Sequence, residues 1–334
     1  MSNPKKGLAL VIANSDYESQ NKLPSCKKDG DEMTSKLKEL NFDVIYHNNT
    51  SRSELLSAIS QFINLADYYS VLLVYYTGHG IQIDGENYFV PIDCTYNPVK
   101  SVFVAASLVS INTITDYMNN HEEKTNILIL DACRTGLPFI RDIGGMGLAE
   151  ISAGNGTLVA FATAPNTVAL CEPSADGNGY YTKRLLEHID HPNLKIEEMF
   201  KLVRKDVVKD TSGQQVPWEN TSLNQDFYFS TLTQDEINEK IYQGIRNNYS
   251  TEMFIYLSKH FGYTVSDIMR IYQRQKSEKP GGIYFSSDDS FEQFVSEQIL
   301  SLGFKFSNYR WLYNDTPVIM GDLLHNFTVE LDDK

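Results

Sequence analysis

No run of apolar residues in this chain approaches the roughly 20 that a transmembrane helix needs. The first such run, Gly7-Leu8-Ala9-Leu10-Val11-Ile12-Ala13, lacks the length and the small-residue cleavage site of a secretory signal. Positive charge is also short. Lys and Arg number 29 against 43 Asp and Glu, a formal net charge of −14. Nucleic acid and anionic membrane both demand a cationic face, so both are excluded as the main partner. The acidic balance itself reads first as a solubility feature. Cysteine is scarce too. Cys26, Cys94, Cys133 and Cys171 are scattered without CxxC spacing, and in a chain without a signal they are expected to be free thiols in a reducing cytoplasm. There is no internal repeat and no low-complexity segment.

What is present is enough apolar material for a sizeable core, 42% of 334 residues. Through residue 230 strand and helix signals alternate. Continuous apolar runs at Gly7–Ala13, Tyr69–Thr77, Asn126–Leu130 and Thr157–Thr163 read as buried strands, with Asp43–His47 as a further one. Helices are predicted at 28–40, at 111–119, near 180–190 and at 195–209. Another opens at the capping box Ser51-x-x-Glu54, with Leu55, Ile59, Phe62 and Ile63 as its apolar face. Asp226–Ser230 is a candidate last strand. The pattern predicts an α/β fold, a mostly parallel sheet sandwiched by helices. After Thr231 the rhythm changes. Helices are expected at Ile237–Ile245, Met253–His260, Val265–Tyr272 and Phe291–Leu302, with a strand near Phe327–Leu331. The chain thus divides into 1–231 and a small, mainly helical unit over 232–334.

In parallel sheets ligands sit beyond the carboxyl ends of the strands. Two reactive side chains are expected just past such ends, His79 in Gly78-His79-Gly80 and Cys133 in Asp131-Ala132-Cys133-Arg134. A thiol attacks a carbonyl well only as thiolate, and histidine is its natural base at neutral pH. The flanking glycines leave His79 uncrowded. The Gly80 and Cys133 N–H groups are candidate oxyanion donors. The other cysteines are expected to be packing residues, and the other histidines, His188 and His191 among them, surface or capping residues.

The order of these motifs resembles the caspase-like cysteine peptidases, in particular the metacaspase, paracaspase and prokaryotic caspase-homologue branches. Leu10–Tyr17 resembles the family's first strand and loop, and Leu23–Asp29 the segment carrying a pocket aspartate. Tyr75–Gly80 resembles the histidine motif, and Ile129–Arg134 the cysteine motif. Ala160–Ala164 and Gly177–Thr182 resemble a later strand and helix start. The resemblance covers about 1–230. It implies hydrolysis of peptide bonds in a protein or peptide substrate, through a His79/Cys133 dyad and a thioacyl-enzyme, with neither metal nor cofactor.

The family's pattern also places Asp29 and Asp131 in the primary specificity pocket, with Glu172 as a further candidate. Animal caspases carry Gln where Asp131 stands and cleave after aspartate, so here cleavage after arginine, and less well after lysine, is expected. The short Ile81–Asn87 stretch holds two acids, and calcium dependence is not expected. The glycine-rich segment 134–156 contains Arg141, a candidate self-cleavage site. Residues 232–334 are expected to dock a regulatory protein, and the layout resembles homologues in stress or defence circuits. A catalytically silent scaffold with the same fold is the alternative, and the presence of both His79 and Cys133 counts against it.

Overall fold

The computed structural model describes residues 6–18, 22–95, 104–132, 148–164, 177–233 and 236. For residues 96–97, 102–103, 133, 305–307, 310–313 and 316–318 it describes the backbone alone. The chain divides into two compact units, Met1–Thr231 and Leu232–Lys334.

In the first unit the elements run β1 (Gly7–Ala13), α1 (Pro24–Glu39), β2 (Phe42–Asn48), α2 (Arg52–Ala66), β3 (Val71–Ile83) and β4 (Glu86–Phe89). Then come β5 (Tyr96–Asn97), β6 (Val102–Phe103), β7 (Val109–Ser110), α3 (Asn112–Asn119), β8 (Thr125–Cys133) and β9 (Thr157–Phe161). α4 (Tyr180–His188), α5 (Ile196–Asp210) and β10 (Trp218–Thr221) complete it. The main sheet has the order β10-β9-β8-β3-β1-β2. Every pair from β9 to β2 is parallel, and β10 closes the edge antiparallel to β9.

The continuous apolar runs are explained by burial on both faces. Alternate residues of β1, β3, β8 and β9 enter different cores. Val11, Leu73, Tyr75, Ile129 and Ala160 pack with residues of α1, α4 and α5. Leu10, Val74, Tyr76, Leu130 and Phe161 pack with α2 and α3. The helix starts follow local chemistry. Pro24 stands in the first turn of α1, where a missing N–H costs nothing. The Ser51 capping box forms as expected: the Ser51 N–H donates to Glu54 Oε2 at 2.9 Å, and the Glu54 N–H to Ser51 Oγ at 3.4 Å.

Three expectations need correction. β3 does not stop at Thr77 but runs through Gly78-His79-Gly80 to Ile83, and β8 runs on to Cys133. The reason is a change of neighbour. β1 pairs with β3 only as far as Ala13↔Thr77, and antiparallel β4 then takes over from Gly80↔Phe89. Asp226–Ser230 is not a sheet strand. It forms isolated bridges, Lys195↔Tyr228 and Pro192↔Ser230, and its alternation arises because Phe227 and Phe229 enter the α4/α5 core. In the second unit β11 (Lys305–Ser307), β12 (Arg310–Tyr313) and β13 (Thr316–Val318) form an antiparallel meander that the aromatic-rich sequence did not announce. The helices and strand expected elsewhere in 237–331 lie outside the described residues.

Candidate active site

The register of β3 and β8 brings the two motifs together. His79 is the direct partner of Cys133, and Thr77 of Asp131. Neighbouring strands lie about 4.8 Å apart, so histidine and cysteine stand side by side although 54 positions separate them in sequence. His79 is fully enclosed. Backbone groups alternate sides along a strand. The Thr77 carbonyl accepts from Asn14 on the β1 side and the His79 carbonyl from Val90 on the β4 side, at 2.9 and 3.1 Å. The Gly80 peptide therefore faces the β8 side, where Cys133 is the last strand residue.

Asp131 lies on the face of β8 that Ile127 and Ile129 turn toward α4. Its Oδ2 accepts from the Thr182 hydroxyl at 2.6 Å, and Tyr75 Oη lies 2.6 Å from Thr182 Oγ1. Asp29, buried on α1, accepts from the Gly179 N–H through Oδ1 at 3.0 Å. The two acids converge: a Cβ on Gly179 would lie 3.4 Å from Asp29 Oδ2 and 3.7 Å from Asp131 Oδ2. Gly179 is the residue before α4, whose N-terminal dipole favours negative charge. Burial nevertheless dominates and pushes the Asp131 carboxyl up to about 6, with the Thr182 hydrogen bond opposing.

The structure therefore brings together His79, Gly80, Cys133, Asp29 and Asp131. Glu172, Arg141 and Cys171 lie outside the described residues. Cys26 and Cys94 are not joined in a disulfide and are buried in a small apolar cluster with Tyr17, Leu23 and Ile81. Burial pushes the Cys94 thiol up to about 12, which makes it a poor nucleophile. Sequence reasoning gave no role to Tyr75, Gly179 or Thr182, because their contacts to the acids join distant segments. His188 and His191, expected at the surface or as capping residues, are both buried, with His188 in the last turn of α4. His188 faces Asp206 because α4 packs on α5. With Glu187 they form the one group of metal-type donors among the described residues, all within 4.8 Å. Its members already pair, His188 Nε2 with Asp206 Oδ2 at 2.7 Å and Glu187 with Arg184 at 2.6 Å. The group lies at the opposite end of α4 from Gly179.

No helix among the described residues is long and apolar enough to cross a membrane. Comparison with known proteins gives a consistent picture. Residues 6–228 match the family described as the caspase domain. Mucosa-associated lymphoid tissue lymphoma translocation protein 1 of Homo sapiens is 27% identical over 224 residues, 66% of this chain and 26% of that protein. Its Mus musculus homolog matches to the same extent. Caspase-1-A of Xenopus laevis is 24% identical over 249 residues, 67% of this chain and 62% of that protein. The chain thus spans about a quarter of the length of the two mammalian relatives.

Proposed function

The chain belongs to the caspase-domain family of cysteine peptidases, and on that premise we propose that it is an endopeptidase cleaving after basic residues, arginine before lysine. The observation that carries the reading is the side-by-side register of His79 and Cys133 next to a pair of buried acids. His79 takes the proton of Cys133, and the thiolate attacks the carbonyl of the scissile bond. The Gly80 and Cys133 N–H groups, expected as oxyanion donors, are engaged by the His79↔Cys133 end of the β3–β8 ladder, so holding the oxyanion requires that end of the ladder to open. Protonated His79 then delivers its proton to the leaving amine, and water, activated by the same imidazole, releases the acyl group.

Asp29 and Asp131 receive the substrate side chain. A planar guanidinium donates paired hydrogen bonds that suit two carboxylates, whereas an ammonium acts as a point charge. Asp131 accepts one bond from Thr182, and a carboxylate offers about four acceptor positions. The test is a mixed peptide library offered to wild type and to Cys133→Ala. Cleavage confined to bonds after Arg and Lys, absent from the variant, is expected; products formed equally by both proteins would remove the reading.

The unit Leu232–Lys334 is proposed to dock a regulatory protein rather than to contribute to chemistry, since every residue given a role lies in Met1–Thr231. A chain ended at Thr231 is therefore expected to keep peptide hydrolysis. Loss of turnover in a folded truncated chain would assign the second unit to the catalytic body.

A further inference from the structure

We infer that Tyr17 is a positioning residue for His79, acting with Tyr76 through hydrogen bonds to the His79 backbone that take over where β1 leaves β3. The inference rests on the dyad reading above. β1 serves the β3 backbone as far as Thr77, whose carbonyl accepts from the Asn14 N–H at 2.9 Å. The next peptide group turned to that side belongs to His79, and there β1 has ended. A buried backbone N–H without a partner is costly, and here a side chain supplies the partner. The His79 N–H donates to Tyr17 Oη at 2.6 Å, and the Tyr76 hydroxyl donates to the His79 carbonyl at 2.6 Å. The two phenols thus hold the two ends of the same residue's backbone, Tyr17 at the N–H and Tyr76 at the carbonyl.

The two hydroxyls need space, and Gly78 provides it. A Cβ there would lie 2.7 Å from Tyr17 Oη and 2.8 Å from Tyr76 Oη, at a φ of +154° that side chains rarely adopt. The glycine before the histidine thus makes room for the two hydroxyls. The Tyr17 ring also packs on the imidazole, with centroids 4.4 Å apart and planes tilted by 49°. Its own loop is anchored. Asn49 Oδ1 accepts from the Ser15 and Asp16 N–H groups at 2.9 and 3.0 Å, and the Glu18 N–H donates to the Ile92 carbonyl at 3.1 Å. Tyr17 therefore holds the histidine from a fixed position, on its backbone and on its ring at once. The acid pair is served by Tyr75, Thr182 and Gly179 instead, so the two functions are separately supported.

The test uses Tyr17→Phe and Tyr76→Phe in the full chain, each of which keeps the ring and removes one hydroxyl. A 1 Å misplacement of a catalytic group costs on the order of 10²-fold, and partial loosening is expected to lower kcat about tenfold. KM for an arginyl peptide stays within about twofold, because the acid pair is untouched. A second readout needs no substrate: the rate at which iodoacetamide alkylates Cys133, followed by mass against pH, which shifts in both variants if the base is displaced. Wild-type kcat and an unchanged alkylation profile in Tyr17→Phe, with His79→Ala inactive, would overturn the positioning role and leave the dyad standing. A lowered Tm with unchanged kcat and profile would likewise overturn it, showing that the hydroxyls serve stability alone. Wild-type turnover in His79→Ala would remove the dyad itself.

Discussion

Replacing Cys133 by alanine is expected to lower peptide hydrolysis by about 10³-fold or more, and replacing His79 to do nearly the same. Nucleophile and base act as one unit, so the double variant should be hardly worse than either single one. The two losses differ in a second respect. His79 is fully enclosed and its ring packs on Tyr17, so removing the imidazole leaves a cavity and a Tm several degrees lower. His79→Gln fills more of that space and separates lost packing from lost chemistry. Alkylation of Cys133 at neutral pH should slow in the His79 variants, because the thiol loses the base that takes its proton. Near wild-type turnover in either alanine variant, measured as kcat/KM on a fluorogenic peptide, would disprove the assignment.

The second large effect concerns the acid pair. Asp131→Asn keeps an oxygen that can accept from Thr182 but removes one charge from the pocket. A hydrogen bond to a charged group contributes about 1.5–3 kcal/mol, which corresponds to roughly 10- to 100-fold in kcat/KM for arginine substrates. Direct labelling of Cys133 by a small thiol reagent should be largely retained. Among substrates differing only in the residue before the scissile bond, arginine is expected to lead, lysine to follow and aspartate to fail, since like charge in a partly desolvated pocket costs several kcal/mol.

The same group gives the pocket a pH dependence. Burial holds the Asp131 carboxyl up at about 6, above its ordinary value near 3.9. Because the folded pKa is the higher one, the stability that the protonated form contributes is present below about pH 4 and lost as pH rises through about 6. A bound guanidinium reverses the preference and favours the ionised form. Affinity for arginine ligands should therefore rise with pH through about 6, and binding below that pH should release a proton. Robust cleavage after aspartate, or an Asp131→Asn enzyme with unchanged preference, would refute this account.

Much of the scaffold was legible because burial on both faces writes itself into sequence as unbroken apolar runs. β1 and β8 were read that way, and α2 from its capping box. The length of β3 was not legible, since it depends on β4 replacing β1 as neighbour, and nothing within Gly78-His79-Gly80 announces that exchange. Phe227 and Phe229 alternate like a strand because they enter a helix-covered core, which periodicity alone cannot distinguish from sheet. Histidine and cysteine were visible as motifs. Their supports were not, because those contacts are long-range: 62 positions separate Tyr17 from His79, 51 separate Asp131 from Thr182, and 150 separate Asp29 from Gly179.

Tyr75 and Tyr76 are consecutive on β3, yet one reaches toward the acid pair and the other toward the histidine backbone. That division sets where the chain can change length over evolutionary time. A single-residue insertion before Tyr75 would exchange the faces of every following side chain, sending each phenol to the wrong site and shifting His79 off Cys133. Deletions there would do the same. Surface connections such as the turn at Asp84-Gly85, where both residues have positive φ and a Cβ on Gly85 would meet nothing within 4 Å, can absorb added residues without that penalty. Descendants of this protein should therefore vary in their loops while the count from Val71 to His79 stays constant.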